Sequence, residues 1–155
     1  MKNKKIRIGI IGAGKNTRKM HLPKLLALPD VKVREVANRT IPSAKISAEE
    51  FRIPTIRESW EEVATSPDLD AVVIGTWPYL HCPATCLALE SGKHVLCEAR
   101  MAMNQAEARK MLIDQQEESA RQFAARKVRE LKDDAIANGG HRVLPNRLAV
   151  GKARH

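Results

Sequence analysis

Aromatic residues are scarce in this chain, with two Trp, one Tyr and two Phe among 155 residues, so Leu, Val, Ile and Ala must fill its core. Cysteine is scarce too. Cys82, Cys86 and Cys97 are an odd number at spacings that match no zinc motif, which argues against a disulfide framework or a metal site. Cys82 and Cys86 lie one helical turn apart and read as small apolar fillers rather than a redox or metal pair. No apolar run reaches the length of a membrane span, and the one near the N-terminus is too short for a signal peptide. These absences predict a cytoplasmic chain with reduced thiols and no membrane partner.

What is present suits a soluble globular protein: 43% hydrophobic and 29% charged residues, in a length that can bury a core without covalent staples. The formal charge of +9 is unevenly placed. Met1 to Ala120 carries 18 Lys and Arg against 15 Asp and Glu, whereas Arg121 to His155 carries nine against three. Nucleic acid is disfavoured as the partner, because the basic tail is poor in aromatic stacking residues. A mildly basic body equally suits a small phosphate-bearing ligand.

Apolar runs alternate with helix-like segments. Ile6 to Ile11, Val31 to Ala37, a short piece near Ile53 to Ile56, Ala71 to Gly75 and His94 to Cys97 read as strands. Between them the spacing predicts a helix from Thr17 to Leu28 interrupted near Pro23, one through Ser43 to Phe51 and one through Trp60 to Ala64. A fourth is predicted from Ala84 to Glu90 with Pro83 at its start. Asn104 and Glu107 form a capping box that opens another. Strands apolar throughout, separated by single helices, imply a parallel sheet covered on both faces. The predicted class is therefore α/β, a doubly wound, three-layer parallel sheet. Residues 1–120 would form this domain, and residues 121–155 a basic tail, helical until Gly139-Gly140 and loosely ordered after it.

The first strand runs straight into Gly12-Ala13-Gly14-Lys15-Asn16-Thr17, and a helix follows. That placement is what a G-x-G-x-x-G turn needs to cradle a pyrophosphate: Gly12 permits the tight turn, and Gly14 lets the backbone approach the anion at a helix N-terminus. Thr17 replaces the third glycine, and its hydroxyl can face phosphate or pack near the strand. At the end of the second strand, where NAD-binding chains place an acid, stand Asn38 and Arg39. Asn38 does not repel a 2′-phosphate and Arg39 can form a forked pair with one, so the cofactor predicted is NADP or NAD, with NADP preferred.

These residues, together with DLDAVVIGT and GTWPYLHCPATCLALESGKHVLCE, resemble the N-terminal Rossmann domain of the Gfo/Idh/MocA oxidoreductases from about Ile6 to Leu112. The resemblance implies that Thr76-Trp77-Pro78-Tyr79-Leu80-His81 lines the nicotinamide side of the cofactor and that Glu98 contacts a cofactor ribose. Trp77 or Tyr79 can stack on a flat ring or pack at a domain edge. His81 can donate to a ribose or carboxamide, or serve at a helix start.

The chain departs from the family at Ala99, where the family commonly has a lysine that acts on the reacting hydroxyl. Arg100, one position later, stays charged and is a poor proton shuttle. No residue is thus assigned to catalysis. In the family a second α/β domain supplies the substrate pocket, and residues 121–155 are too few to form it. The expectation is a dinucleotide-binding part of a sugar- or polyol-oxidising enzyme, truncated and inactive by itself, with an exposed sheet edge that favours a homo-oligomer. The alternative is a non-catalytic nucleotide-binding or sensing module.

Overall fold

The computed structural model describes residues 5–137, and the expected stop at Gly139-Gly140 and the tail beyond it lie outside the described residues. The sequence runs β1 (Ile6–Ile11), a π-helical turn (Thr17–His21) leading into α1 (Leu22–Leu26), β2 (Val31–Ala37), α2 (Ile41–Phe51) and β3 (Thr55–Ile56). It continues through α3 (Trp60–Thr65), β4 (Ala71–Ile74), α4 (Pro78–Glu90), β5 (His94–Cys97) and α5 (Gln105–Ala137). The five strands form one sheet in the order β3-β2-β1-β4-β5, and every pairing is parallel. This is a Rossmann-like α/β fold, and its strand order reverses between β1 and β4.

Alternation along the strands divides the core. Ile8, Ile10, Val33, Val36 and Val73 pack with Leu22 and Ala48 of α1 and α2 on one face. Ile11, Ala37, Val72 and Ile74 pack with Val63 and Ala64 of α3 and with Ala84 and Ala88 of α4 on the other. Successive strand side chains point to opposite faces, so a fully apolar strand is one that both helix layers cover. A third, smaller cluster joins Cys82, Cys86 and Met111, with Cys97 and Ala102 packed against it. The two cysteines are buried fillers, and burial pushes the Cys86 thiol up to about 12.

Local chemistry sets most element ends. Thr40 Oγ1 accepts from Ser43 N–H at the start of α2, and Ser59 Oγ accepts from Glu62 N–H at the start of α3. Asn104 Oδ1 accepts from Glu107 N–H, while Glu107 Oε2 reaches back to Met103 N–H.

Several boundaries shift by one or two residues, β3 shrinking to Thr55–Ile56 among them, and two helix starts depart in kind from the expectation. The helix α4 begins at Pro78, not Ala84, and Pro83 lies inside it. Both prolines fit a first helical position by their fixed φ, and Pro78 takes it. Pro83 then forfeits one backbone bond within an otherwise regular helix. The helix predicted from Thr17 begins instead with a π turn, and Pro23 falls in the first turn of α1, where its missing N–H costs little.

Candidate functional site

Where the strand order reverses, the loops after β1 and β4 part, and a cleft of about 1260 Å³ opens beyond the carboxyl ends of the strands. It exceeds the roughly 300–1,000 Å³ of ordinary small-ligand pockets. Its walls include Gly12, Gly14, Lys15, Asn16, Asn38, Arg39, Thr76, Trp77 and Glu98, so nine of the eleven cofactor residues expected from the sequence meet there.

The two glycines of the turn serve different needs. Gly12 has φ +85°, and a β-carbon on it would stand 2.9 Å from Thr76 N, so the backbone itself demands glycine. Gly14 is exposed, and a β-carbon there would meet nothing closer than the Gly75 carbonyl at 3.9 Å. The packing of the protein does not require glycine at position 14. Asn38 ties the turn to β2, its Oδ1 accepting from Ala13 N–H at 2.7 Å. With that oxygen committed, the amide nitrogen of Asn38 is left as a donor toward the cleft wall it forms.

The helix that follows the turn has no acid in its first turn, and its cap residue Asn16 makes no capping bond. Its N-terminal dipole is therefore available to an anion. Lys15, Lys19 and Arg39 stand along the cleft, and no carboxylate pairs with them among the described residues. Arg18 differs, being paired with Glu50 across the opening.

At the other end, Glu98 follows β5. Its Oε1 accepts from Asn16 Nδ2 at 2.7 Å, and His21 Nε2 stands 2.6 Å from the same oxygen, an ion-pair contact when the imidazole is protonated. Trp77 is 70% exposed and Tyr79 63% exposed, and both flank the cleft as free ring faces.

Thr17 and His81 are placed otherwise: both are buried, and neither lines the cleft. Thr17 Oγ1 donates to the Gly12 carbonyl at 3.0 Å rather than facing a phosphate. His81 puts Nδ1 2.7 Å from the Arg100 carbonyl and Nε2 2.9 Å from the Thr76 carbonyl, joining the loops after β5 and β4. Buried polar side chains must find partners, and the nearest acceptors here are backbone carbonyls, not a ligand. Arg100 lies beyond the end of β5, exposed and outside the cleft lining.

His21 was not legible as a site residue, because nothing in an ordinary helical repeat places it beside Asn16. Ser43 and Trp60 also line the cleft, and only the folded chain brings them there.

Comparison with known proteins agrees with this geometry. Residues 6–126 match the family described as "Oxidoreductase family, NAD-binding Rossmann fold", GFO_IDH_MocA. A trans-1,2-dihydrobenzene-1,2-diol dehydrogenase of Xenopus tropicalis is 34% identical over 106 residues, covering 67% of this chain and 32% of its own. An uncharacterised oxidoreductase of Rhizobium meliloti is 32% identical over 118 residues, covering 76% and 35%. A 3-ketoreductase from Actinomadura kijaniata, crystallised with NADP and TDP-benzene, superposes with a TM-score of 0.69 at 30% identity, covering 74% of this chain and 35% of that one. The chain thus spans about a third of the length of the relatives it matches. Fold, cleft and family match together place this chain in the Gfo/Idh/MocA oxidoreductase family, with its NAD-binding Rossmann domain at residues 6–126.

Proposed function

We propose that this chain binds a nicotinamide dinucleotide, NADP in preference to NAD, as the cofactor-binding part of an oxidoreductase acting on a sugar- or polyol-like hydroxyl. The observation that carries the reading is Gly14: it stands exposed on the cleft wall with room where a side chain would be, so its backbone is free for close approach by a pyrophosphate. Residues Gly12 to Asn16 would hold the pyrophosphate, with Lys15 adding charge. Asn38 and Arg39 would hold the adenosine end. The amide N–H groups of Asn38, whose oxygen is already held by Ala13 N–H, suit the acceptor oxygens of a 2′-phosphate, and Arg39 supplies a planar cation beside it. Thr76 and Trp77 would flank the nicotinamide, and Glu98 would accept from ribose hydroxyls. Thr17 and His81 would shape the two loops without touching the ligand.

Bound nicotinamide would supply the hydride chemistry. The residues of this chain bind and orient, and Ala99, next to Glu98, carries no group that can take a proton. Catalysis would then depend on a substrate-binding part beyond these residues, as in a protein of which this chain is a truncated form. Ala99 also favours a second reading, a nucleotide-binding module that performs no chemistry.

Titration with NADPH and NADH followed by fluorescence tests the reading. Saturable binding is expected, and Gly14→Val should weaken it by about tenfold or more while leaving the melting temperature in place. Binding unchanged in Gly14→Val would overturn the assignment of the turn. Consumption of NADPH with a ketose or cyclic ketone by the chain alone would overturn the restriction to binding.

A further inference from the structure

Asn16 and His21 stand five residues apart, yet both reach the same oxygen, Glu98 Oε1: Asn16 Nδ2 donates to it at 2.7 Å, and His21 Nε2 stands 2.6 Å from it as an ion-pair contact. In a continuous α-helix, at 3.6 residues per turn, side chains five apart point about 140° away from each other. The turn Thr17–His21 is π-helical, and Leu22 N–H bonds to the Thr17 carbonyl five residues back. An i→i+5 turn winds more residues into each turn, which narrows that angle and brings His21 toward the side of the helix that carries Asn16. The irregular turn is thus what delivers the imidazole to the carboxylate. Pro23 follows at once and holds the chain in helical φ.

We propose that His21 is a positioning residue for cofactor binding, acting through Glu98. With Asn16 Nδ2 donating to Oε1, His21 Nε2 in contact with the same oxygen, and no hydrogen bond to Oε2 among the described residues, the carboxylate is held in one rotation and leaves its second oxygen free to accept. A carboxylate fixed in this way loses less rotamer freedom when a ribose hydroxyl donates to it. Glu98 is 17% exposed and His21 29% exposed, so neither side chain is part of the core. Their contact spans from the helix after the phosphate turn to the end of β5. It links the two ends of the cleft directly.

This inference rests on the reading of Glu98 as a ribose contact, and its test separates the two. His21→Phe fills similar space without a donor, while His21→Gln keeps an N–H that can reach the carboxylate. His21→Phe should raise the dissociation constant for NADPH about fivefold, and His21→Gln should return it to within about twofold of the parent. In a Glu98→Gln background the same His21→Phe change should have less than about a twofold effect, because the pair acts as a unit.

An equal loss in both backgrounds, or no rescue by Gln, would overturn the proposal, since a merely structural role predicts both. A ligand-free measurement decides the contact by itself. The His21 Nε2–H signal in ¹H–¹⁵N spectra should be slow to exchange in the parent and lost in Glu98→Gln, and an unchanged signal would overturn the inference. If the parent chain binds neither NADPH nor NADH, the reading of the cleft fails and the role of His21 in binding fails with it. The spectra would still show whether the contact exists.

Discussion

A β-carbon placed on Gly75 would stand 2.0 Å from Thr17 Oγ1, so the hydroxyl of the helix occupies the space that a side chain at the end of β4 would need. In the usual glycine fingerprint the third glycine lets the helix approach the sheet. Here a larger residue sits on the helix, and the room comes from the strand side. Thr17 uses that room to bond the Gly12 carbonyl and brace the turn.

Gly75→Ala should therefore destabilise the domain by about 1–3 kcal/mol, as overpacking does, read as a lowered midpoint in urea. Adding Thr17→Gly should recover only part of the loss, because the new β-carbon would also lie 2.9 Å from the Gly12 carbonyl. Full recovery would show that the hydroxyl alone sets the spacing.

Cofactor choice should turn on Arg39. Arg39→Ala is expected to weaken NADPH binding about tenfold and leave NADH binding within about twofold, since only the former carries the 2′-phosphate. Parallel titrations of the two nucleotides check this, and an equal loss for both would remove Arg39 from the 2′ position.

Acid sensitivity should centre on Glu35. It is buried on β2, where Arg57 bonds both carboxylate oxygens at 2.9 Å and Ser66 Oγ donates at 2.9 Å. Burial opposes its charge, but the Arg57 and Ser66 hydrogen bonds outweigh it and hold the carboxyl below its usual value of 4.5. A lowered folded-state value means that the stabilisation is fully present above 4.5 and is lost as pH falls through the folded-state value. Arg57→Ala should cost about 3 kcal/mol at neutral pH by leaving a buried carboxylate unpaired. The same variant should flatten the acid side of the stability profile measured by urea melts between pH 6 and pH 3. An unchanged slope would assign the acid sensitivity elsewhere.

The thiols should be inert in the folded state. With Cys86 pushed up to about 12 by burial and Cys97 also raised by burial, neither is a thiolate at pH 8. Reaction with a disulfide reagent at that pH should be slow in native protein and become complete only in denaturant. Rapid native labelling of Cys86 would contradict the filler role.

Much of this architecture could be read before any coordinates. Ile6–Ile11, Val31–Ala37 and His94–Cys97 are strands at the predicted bounds because each is a short run rich in β-branched and apolar residues that Gly, Pro, Asn or Asp punctuates nearby, a pattern local to the segment. The glycine turn was legible for the same reason, since a strand, a tight turn and a helix start are all short-range features. The start of α4 was not legible. Two prolines compete for one role, and the choice between Pro78 and Pro83 depends on how the loop after β4 packs.

The sequence by itself determined the order of elements, the parallel sheet and the place of the cleft, because hydrophobic periodicity and turn residues act over a few neighbours. The tertiary structure alone decided which of the polar side chains expected there turn away from the cleft and which brace one another. His81 faces the carbonyls of Thr76 and Arg100, five and nineteen residues away, and Asn16 reaches Glu98 across eighty-two. For His81 the partners are the backbone carbonyls that the fold brings to a buried ring, and for Asn16 the partner is a carboxylate that β5 carries to the same end of the sheet. For His21, the choice also depends on a helical phase that one π turn resets.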